Sequence, residues 1–275
     1  MTAPRLARPH ERPRWTFAVL TLPSRTEYLR RLLASLDASV GTRPAEVSVL
    51  CNTTDGLPPA EIQARLRREA GGLPVTFAAT PGKPSIADGR NRLLAQCRTP
   101  LVCYLDDDVT VHGDLLDTLE AALAAQPLAL VGLRSYDNDT DVQHKPREST
   151  PYHEDGALRY MPVHGLLCAG YTDTLRRAGG FNERRRFWGE WTELNLRLWR
   201  LGLPTGYAME GAHLRHWTSA PDSPTRNRPG RERDVVWGLL CTALEYDAAA
   251  GAPGSDAFWH LIETRYLPYA FGADL

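Results

Sequence analysis

Three consecutive aspartates, Asp106, Asp107 and Asp108, directly follow a fully apolar run at residues 101–105. If that run is a strand, the side chains of Asp106 and Asp108 point to the same side, because successive side chains alternate. Carboxylates held this close repel one another, so they require a cation or a set of hydrogen-bond donors. The sequence therefore predicts a metal- or ligand-binding site at the carboxyl end of this strand.

Two enzyme chemistries use aspartates in this arrangement. Asp106, Asp108 and Thr110 fit the D-x-D-x-T pattern of phosphatases, in which one aspartate is the nucleophile, the other is the general acid and Mg²⁺ assists. That mechanism also needs a later lysine and a further acidic pair, and the only later lysine is Lys145, in a polar stretch. The alternative is a D-x-D site that holds a nucleotide diphosphate through Mn²⁺ or Mg²⁺, and the surrounding motifs favour it.

The elements that must position these aspartates predict an α/β fold. Over the first hundred residues, short apolar runs alternate with helical patterns, which is typical of a mostly parallel sheet with helices on both faces. Ser24 and Glu27 predict a capping box at the first helix, and Ser85 predicts an N-cap at the third. Ligands of such sheets bind beyond the carboxyl ends of the strands. The predicted strands are residues 15–21, 46–51, 74–79 and 101–105.

The pattern changes in the second half of the chain. A strand is predicted at 127–134, but residues 135–161 are polar and lack periodicity, which indicates a long irregular segment with a functional or mobile role. Residues 219–233 form a second polar segment, rich in Pro and Arg. Further helices are predicted at 114–125, 172–178, 192–201, 234–246 and 255–267, and a further strand near 205–209.

Composition argues against several classes of protein. The chain has 275 residues with 32 basic and 33 acidic side chains, so broad binding of nucleic acid or of an anionic membrane is not expected. Its five cysteines include no C-x-x-C pair, which indicates free, buried thiols in a reducing compartment. No stretch approaches the roughly 20 apolar residues of a membrane span, and the N-terminus lacks a secretory signal pattern. We therefore expect a soluble, cytoplasmic protein.

Five segments together resemble a known family. They read FAVLTLPSRTEYLRRLLASL from Phe17, ADGRNRLL from Ala87, CYLDDDV from Cys103, AGGFNE from Ala178 and GEWTELNLR from Gly189. In this order and spacing, they resemble glycosyltransferases of family 2 with the GT-A fold. The resemblance implies an α/β, Rossmann-like GT-A domain with a central, mostly parallel sheet, helices on both faces and a helical C-terminal extension.

The resemblance also implies which residues would bind the nucleotide sugar. Thr21, Pro23 and Arg25, after the first strand, would contact the base and the ribose. The family usually has an Asp after the second strand, where this chain has Asn52, whose amide would pair with a uracil edge. Arg90 would lie near the diphosphate, because a guanidinium pairs well with phosphate oxygens. The remaining implied binding residues are Asp88, Asp107 and Asp106, the last at the ribose or the sugar.

A metal ion is part of the same implied site. Relatives place a histidine ligand after the base motif, and this position corresponds to His216, with His213 as a competitor. Asp108 and His216 would therefore hold the metal on the diphosphate. Imidazole together with carboxylate and diphosphate oxygens suits Mn²⁺ at least as well as Mg²⁺.

The catalytic base of the family comes from an acidic pair in a G-E-D-x-E-L-x-L-R pattern at the start of a helix. This chain has Trp191 in place of the Asp. The resemblance leaves Glu190 as the nearest base and Glu193 as the reserve, although either acid would also suit a helix N-terminus without any catalytic role. Trp191 would offer a stacking surface to the sugar or the acceptor.

The resemblance implies three regions along the chain. Residues 1–14 form a flexible N-terminus, and residues 15–217 form the glycosyltransferase domain. Within that domain, residues 15–110 would bind the nucleotide and residues 127–217 the acceptor. Residues 218–275 would supply an Arg-rich loop and helices that cover the active site. The loop arginines that would close over the leaving diphosphate are Arg226, Arg228, Arg231 and Arg233.

We therefore expect a metal-dependent, inverting glycosyltransferase that transfers a sugar from a UDP-sugar to a hydroxyl of a soluble small molecule or glycan, such as an antibiotic or another secondary metabolite. A homodimer is compatible with these expectations, and we do not expect nucleic acid as a partner. The missing Asp at position 191 favours one alternative, a sugar-nucleotide-binding protein without catalysis. A polysaccharide or cell-wall glycosyltransferase and the phosphatase are less favoured.

Overall fold

The computed structural model describes residues 14–217, apart from 53–55, 81, 83–84, 126–127, 147–152, 161–162, 164 and 186–188. The arginines predicted to close over the diphosphate (226, 228, 231 and 233) and the last two predicted helices lie outside the described residues.

The strands are β1 Trp15–Thr21, β2 Ala45–Cys51, β3 Val75–Ala79, β4 Leu101–Asp106, β5 Val109–His112, β6 Leu130–Leu133, β7 Ser135–Asp137, β8 Gln143–Lys145, β9 His153–Asp155, β10 Leu158–Tyr160, β11 Leu167–Tyr171, β12 Thr205–Ala208 and β13 His213–His216. The helices are α1 Thr26–Val40, α2 Ala60–Glu69, α3 Ile86–Gln96, α4 Leu115–Ala125, α5 Thr172–Arg177 and α6 Glu190–Arg200, with a 3₁₀ turn at Pro23–Arg25.

The main sheet has nine strands in the order β3-β2-β1-β4-β11-β6-β12-β10-β9. Its strands run in one direction except β11 and β10, which run against their neighbours. The prediction of a mostly parallel sheet is therefore confirmed. The register pairs Leu20 with Asp106 and Thr21 with Cys51, so the carboxyl ends of β1, β2 and β4 meet at one edge of the sheet. This edge is where the aspartates lie.

A second, four-stranded sheet begins directly after the aspartates, in the order β5-β13-β7-β8. The chain leaves β4 at Asp106, turns through Asp107 and Asp108, and enters β5 at Val109. In this small sheet Val109 pairs with His216 of β13. The aspartates therefore lie at the junction between the two sheets.

Helices pack on both faces of the main sheet, as predicted. Alternate side chains of β1 enter two separate hydrophobic clusters, with Phe17 and Val19 in one and Ala18 in the other. The first cluster includes the buried leucines of α1 and α4, and the second includes those of α3 together with Leu194 and Leu198 of α6. Each fully buried leucine contributes about 2 kcal/mol, so these clusters dominate the stability of the layers.

One of the two predicted helix caps is confirmed. The Ser85 hydroxyl accepts a hydrogen bond from the backbone N–H of Asp88 at 3.1 Å and caps α3. The capping box at Ser24 is wrong, because Ser24 lies within the 3₁₀ turn and α1 begins at Thr26 without a side-chain cap. Pro23 starts that turn, and the turn directs Arg25 inwards, where it is buried.

The prediction of an irregular segment at 135–161 is wrong where the structure describes it. It contains β7, β8, β9 and β10, each only three residues long, at the margins of the two sheets. Three further strands, β5, β11 and β13, were not predicted. Strands this short are defined by their neighbours in the sheet, since three residues are too few to show a period of two.

Candidate active site

The three aspartates divide between two groups of partners. Asp106 is the last residue of β4, whereas Asp107 and Asp108 form the turn that follows. The expectation that Asp106 and Asp108 point to the same side rested on an extended chain, and it does not apply because the chain turns at Asp107 and Asp108. Asp106 contacts Arg90, and Asp108 contacts Arg25 and His216.

Arg25 holds the turn at Asp107 and Asp108 through ion pairs with both aspartates. Its guanidinium donates to both oxygens of Asp107 at 2.8 to 3.0 Å and to Asp108 Oδ2 at 2.8 Å. The Thr21 hydroxyl donates to Asp107 Oδ2 at 2.6 Å. Burial raises the pKa of Asp107 to about 6, against the opposing contacts with Arg25. Burial opposes the charge of Arg25, but its bonds to Asp107 and Asp108 outweigh burial and raise its pKa. A buried ion pair of this kind fixes the turn in one position.

Asp108 and His216 form the candidate metal pair. His216 Nε2 lies 3.5 Å from Asp108 Oδ1, and the two are neighbours across the small sheet, where Trp217 N–H donates to Asp108 O at 3.0 Å. Burial would raise the pKa of Asp108, but the contacts with His216 and Arg25 outweigh burial and lower it. His213 lies on the opposite face of β13, because it is an odd number of residues away, and it stacks on His112 with 5.3 Å between ring centroids.

The spacing of this pair fits a divalent cation. Two ligands at roughly 2.1 Å from one ion can be 3.5 Å apart. The carboxylate is a ligand typical of both Mn²⁺ and Mg²⁺, whereas the imidazole disfavours Mg²⁺, which prefers oxygen ligands. Within the described part of the chain, no group of three His, Cys, Asp or Glu side chains could hold a metal by itself. The pair would therefore need oxygen ligands from a bound substrate.

Arg90 of α3 links Asp106 to the start of α6. It donates to Glu190 Oε1 and, at 3.3 Å, to Asp106 Oδ1. Its guanidinium lies over the Trp191 ring, 4.8 Å from the centroid. Burial opposes the charge of Arg90, but the neighbouring Glu190 and Asp106 outweigh burial and raise its pKa. One guanidinium thus holds a carboxylate from β4 and another from α6 side by side.

The other candidate base lies in a different set of contacts. α6 begins two residues before its predicted start, so Glu190 and Glu193 are both in its first turn. Arg197 donates to both oxygens of Glu193, and its Nη1 donates to Gly180 O at 2.9 Å. These contacts tie Glu193 to the turn after α5, away from the aspartates.

The remaining predicted binding residues lie around the ends of β1 and β2. Asn52 N–H donates to Thr21 O at 2.9 Å, and its amide contacts Ser85 O and the Thr80 hydroxyl at 3.3 to 3.4 Å. Pro23 lies in the 3₁₀ turn. Asp88 accepts from Arg92 at 2.8 Å within α3, so its carboxylate has a partner on its own helix.

Asn195 is a residue of the site that the sequence reasoning missed. It is completely buried in α6, and its amide pairs with Val163 N–H at 3.0 Å, Val163 O at 2.8 Å and Trp191 O at 2.7 Å. It therefore holds the backbone just before Leu166, whose N–H donates to Asp106 Oδ2 at 3.2 Å. The available signal was an amide between two leucines in the helical stretch ELNLRLW.

We predict that Asn195→Leu will lower the free energy of unfolding by about 3 kcal/mol, because it leaves both polar groups of Val163 buried without partners. Urea unfolding measures the change. The control is Asn138→Leu, since the Asn138 side chain donates to Asp139 Oδ1 at 3.4 Å in an exposed turn. The cost of this substitution should stay within about 0.5 kcal/mol. Equal costs for the two variants would contradict the role of Asn195.

Comparison with known proteins places this site in a known fold. No protein-family model matches the sequence, and a search of curated proteins finds no match. Among solved structures, TarS 1–349 of S. aureus is similar with a TM-score of 0.64 and 13% identity, over 95% of this chain and 76% of that chain. GalNAc-T7 with UDP, GalNAc and Mn²⁺ is similar with a TM-score of 0.60 and 14% identity, over 84% of this chain and 48% of that chain.

A third similar structure is the mannosyltransferase PcManGT from Pyrobaculum calidifontis in complex with GDP-Man and Mn²⁺. Its TM-score is 0.54 with 17% identity, over 97% of this chain and 86% of that chain. TarS has also been solved with UDP and with UDP-GlcNAc. Within the described residues, no helix is long and apolar enough to cross a membrane. The chain has the GT-A fold of glycosyltransferases.

Proposed function

We propose that the protein is a metal-dependent, inverting glycosyltransferase that transfers a sugar from a UDP-sugar to an acceptor hydroxyl. The observation that supports it most is the junction of the two sheets, where Asp106 and Asp108 meet Arg90, Glu190 and His216. This junction lies at the carboxyl end of β4, where sheets of this kind bind their ligands. Similar structures contain UDP, UDP-GlcNAc or GDP-Man, so a nucleotide sugar is the substrate class we infer.

Asp108 and His216 are the residues that would hold a divalent cation, Mn²⁺ or Mg²⁺. When bound, such a cation neutralises the charge that develops on a departing diphosphate. Arg25 would keep Asp108 in position to hold the cation, since its guanidinium donates to both Asp107 and Asp108. Asn52, near the end of β2, is the residue we assign to the base, because its amide has the donor and acceptor that a uracil edge requires.

Glu190 is the residue we assign as the general base. In a single displacement, the acceptor oxygen attacks the anomeric carbon from the face opposite the diphosphate, the bond from that carbon to the phosphate oxygen breaks with its electron pair, and Glu190 takes the hydroxyl proton. Arg90 occupies Glu190 Oε1 and leaves Oε2 for that proton. Glu193 is less suited, because Arg197 occupies both of its oxygens.

The acceptor we propose is a small molecule or a glycan, in a tailoring step of secondary metabolism such as antibiotic glycosylation. All but two of the 32 basic residues are Arg, a bias typical of GC-rich genomes in which such pathways are common.

A non-catalytic sugar-nucleotide-binding protein is the second candidate, and the presence of Trp191 where the family has an acidic residue favours it. The phosphatase pattern has less support. The Thr110 hydroxyl contacts His112 Nε2 at 3.0 Å on β5, and Asp106 and Asp108 have separate partners.

A panel of UDP- and GDP-sugars, tested with Mn²⁺, Mg²⁺ or EDTA, discriminates these functions. We expect one UDP-sugar to raise the melting temperature with metal but not with EDTA, and to be slowly hydrolysed or transferred. Binding without any turnover would favour the non-catalytic candidate. Hydrolysis of simple phosphate esters with no response to nucleotide sugars would favour the phosphatase and contradict the proposal.

A further inference from the structure

The indole of Trp191 has a buried N–H group without a hydrogen-bond partner. Trp191 is 5% exposed, and its Nε1 finds no acceptor within the part of the chain that the structure describes. The other buried indoles there are satisfied: Trp15 donates to Glu120 at 3.0 Å and Trp199 donates to Thr205 at 3.0 Å. Buried polar groups normally have partners, so an orphaned one in a candidate site indicates a ligand group that completes it.

The indole is held so that its N–H cannot turn to another acceptor. The Arg90 guanidinium lies over its ring, and the rings of Phe181 and Tyr104 pack against it with centroids 4.8 and 5.7 Å away. Trp191 is also in the first turn of α6, beside Glu190. The direction of the N–H is therefore set by the packing of the protein.

Next to this N–H lies a gap that only a glycine leaves open. A Cβ built on Gly165 would stand 4.0 Å from Trp191 Nε1 and 3.7 Å from Asp106 Oδ2. Gly165 has a φ of 35°, and Leu166 has a φ of 61°, a left-handed conformation that is unusual for leucine. That conformation accompanies the bond from Leu166 N–H to Asp106 Oδ2. The backbone thus bends to keep Asp106 facing the same gap as the indole.

The two groups that border the gap have complementary chemistry. Trp191 can only donate, and the Asp106 carboxylate can only accept. A hydroxyl does both, so it can accept from the indole and donate to the carboxylate, whereas a phosphate would be repelled by Asp106. Asp106 keeps 39% of its side chain exposed, so a ligand can reach it.

On the basis of the proposed function, we propose that Trp191 Nε1 donates a hydrogen bond to a hydroxyl oxygen of the donor sugar, and that Trp191 selects donors with a hydroxyl at that position. This assignment places the sugar next to Asp106 and the diphosphate next to Asp108. It also gives Trp191 a polar role beyond that of a stacking surface.

Indole ¹H–¹⁵N NMR spectra test the inference directly on the unmodified protein. Mg²⁺ replaces Mn²⁺, because a paramagnetic ion would broaden the signals, and UDP, UDP-glucose, UDP-galactose, UDP-GlcNAc and UDP-GalNAc are added in turn. The Trp191 signal is assigned with Trp191→Phe, or by nuclear Overhauser effects to Phe181 if that variant does not fold. We expect a bound UDP-sugar to shift the Trp191 indole proton downfield and UDP to leave it in place, with Trp15 and Trp199 unmoved as internal controls.

The outcomes separate this inference from the proposed function. If backbone amides around Asp106 and Asp108 respond to a UDP-sugar but the Trp191 indole does not, or if UDP alone moves that indole equally, the inference is wrong and the proposed function stands. If no nucleotide sugar affects any signal, both are overturned.

Gly165→Ala provides an independent test, because its methyl would occupy the gap at ordinary contact distances. A φ of 35° strains an alanine, so thermal unfolding first confirms that the variant keeps its fold. We expect it to weaken binding of the UDP-sugar roughly three- to tenfold, the value of about one hydrogen bond, while UDP binding remains unchanged. Calorimetric titration of both ligands measures the two affinities. Equal weakening of UDP and UDP-sugar, or no change in either, would contradict the inference.

Discussion

Asp108→Asn will abolish metal-dependent sugar transfer, with a loss on the order of a hundred- to a thousandfold. The amide removes the negative charge that pairs with His216 across the cation site while preserving the size of the side chain. The fold should survive, because Arg25 keeps its contacts with Asp107. Initial rates over a range of Mn²⁺ concentrations measure the effect, and thermal unfolding checks the fold.

The matched control for this substitution is Asp173→Asn, since the Asp173 side chain is 86% exposed on α5. It should keep the rate and the metal dependence of the unmodified protein. Full turnover by Asp108→Asn in metal-free buffer would refute the assignment of Asp108 to the metal.

Glu190→Gln will lower the rate of transfer by about 10²- to 10⁴-fold, because no carboxylate then takes the acceptor proton. Binding of the nucleotide sugar should persist, since Arg90 retains Asp106 as a charged partner. Rates under saturating donor, together with calorimetric donor affinity, distinguish a lost base from a lost binding residue.

Glu193→Gln is the control for the base, because Glu193 lies in the same turn of α6 but is paired with Arg197. We expect it to keep near-normal transfer and to lose some stability. Unimpaired transfer by Glu190→Gln with a loss in Glu193→Gln would reverse the assignment of the base.

Much of the fold was accessible from the sequence because its central strands are continuous apolar runs. β1, β2, β3 and β4 were predicted within a residue or so of their observed bounds, and the cap at Ser85 was correct. β5, the strands from β7 to β11, and β13 were not predicted, because short strands are defined by partners far away in the chain. Their pairing depends on tertiary contacts that no local pattern contains.

The candidate site shows a similar division. The residue types at Asp106, Asp108, Arg90 and Glu190 predicted a charged site. The structure joins Asp106, Arg90 and Glu190 in one series of contacts and pairs Asp108 separately with Arg25 and His216. The resemblance implied that Asp108 and His216 act together, and they lie 3.5 Å apart. The pairing of Arg25 with Asp107 and Asp108 was beyond the sequence, because it depends on the turn that these aspartates form. The alternation that applies inside a strand ends with the strand.

The turn between β4 and β5 divides the aspartates between two sheets although they are consecutive in sequence. Asp106 belongs to the main sheet and faces Arg90, whereas Asp108 is bonded to β13 of the small sheet. A donor whose sugar contacts Asp106 and whose diphosphate contacts Asp108 would therefore bind to both sheets at once. After transfer of the sugar, the remaining UDP would contact Asp108 but no longer Asp106. The donor would therefore link the two sheets before transfer and not after it.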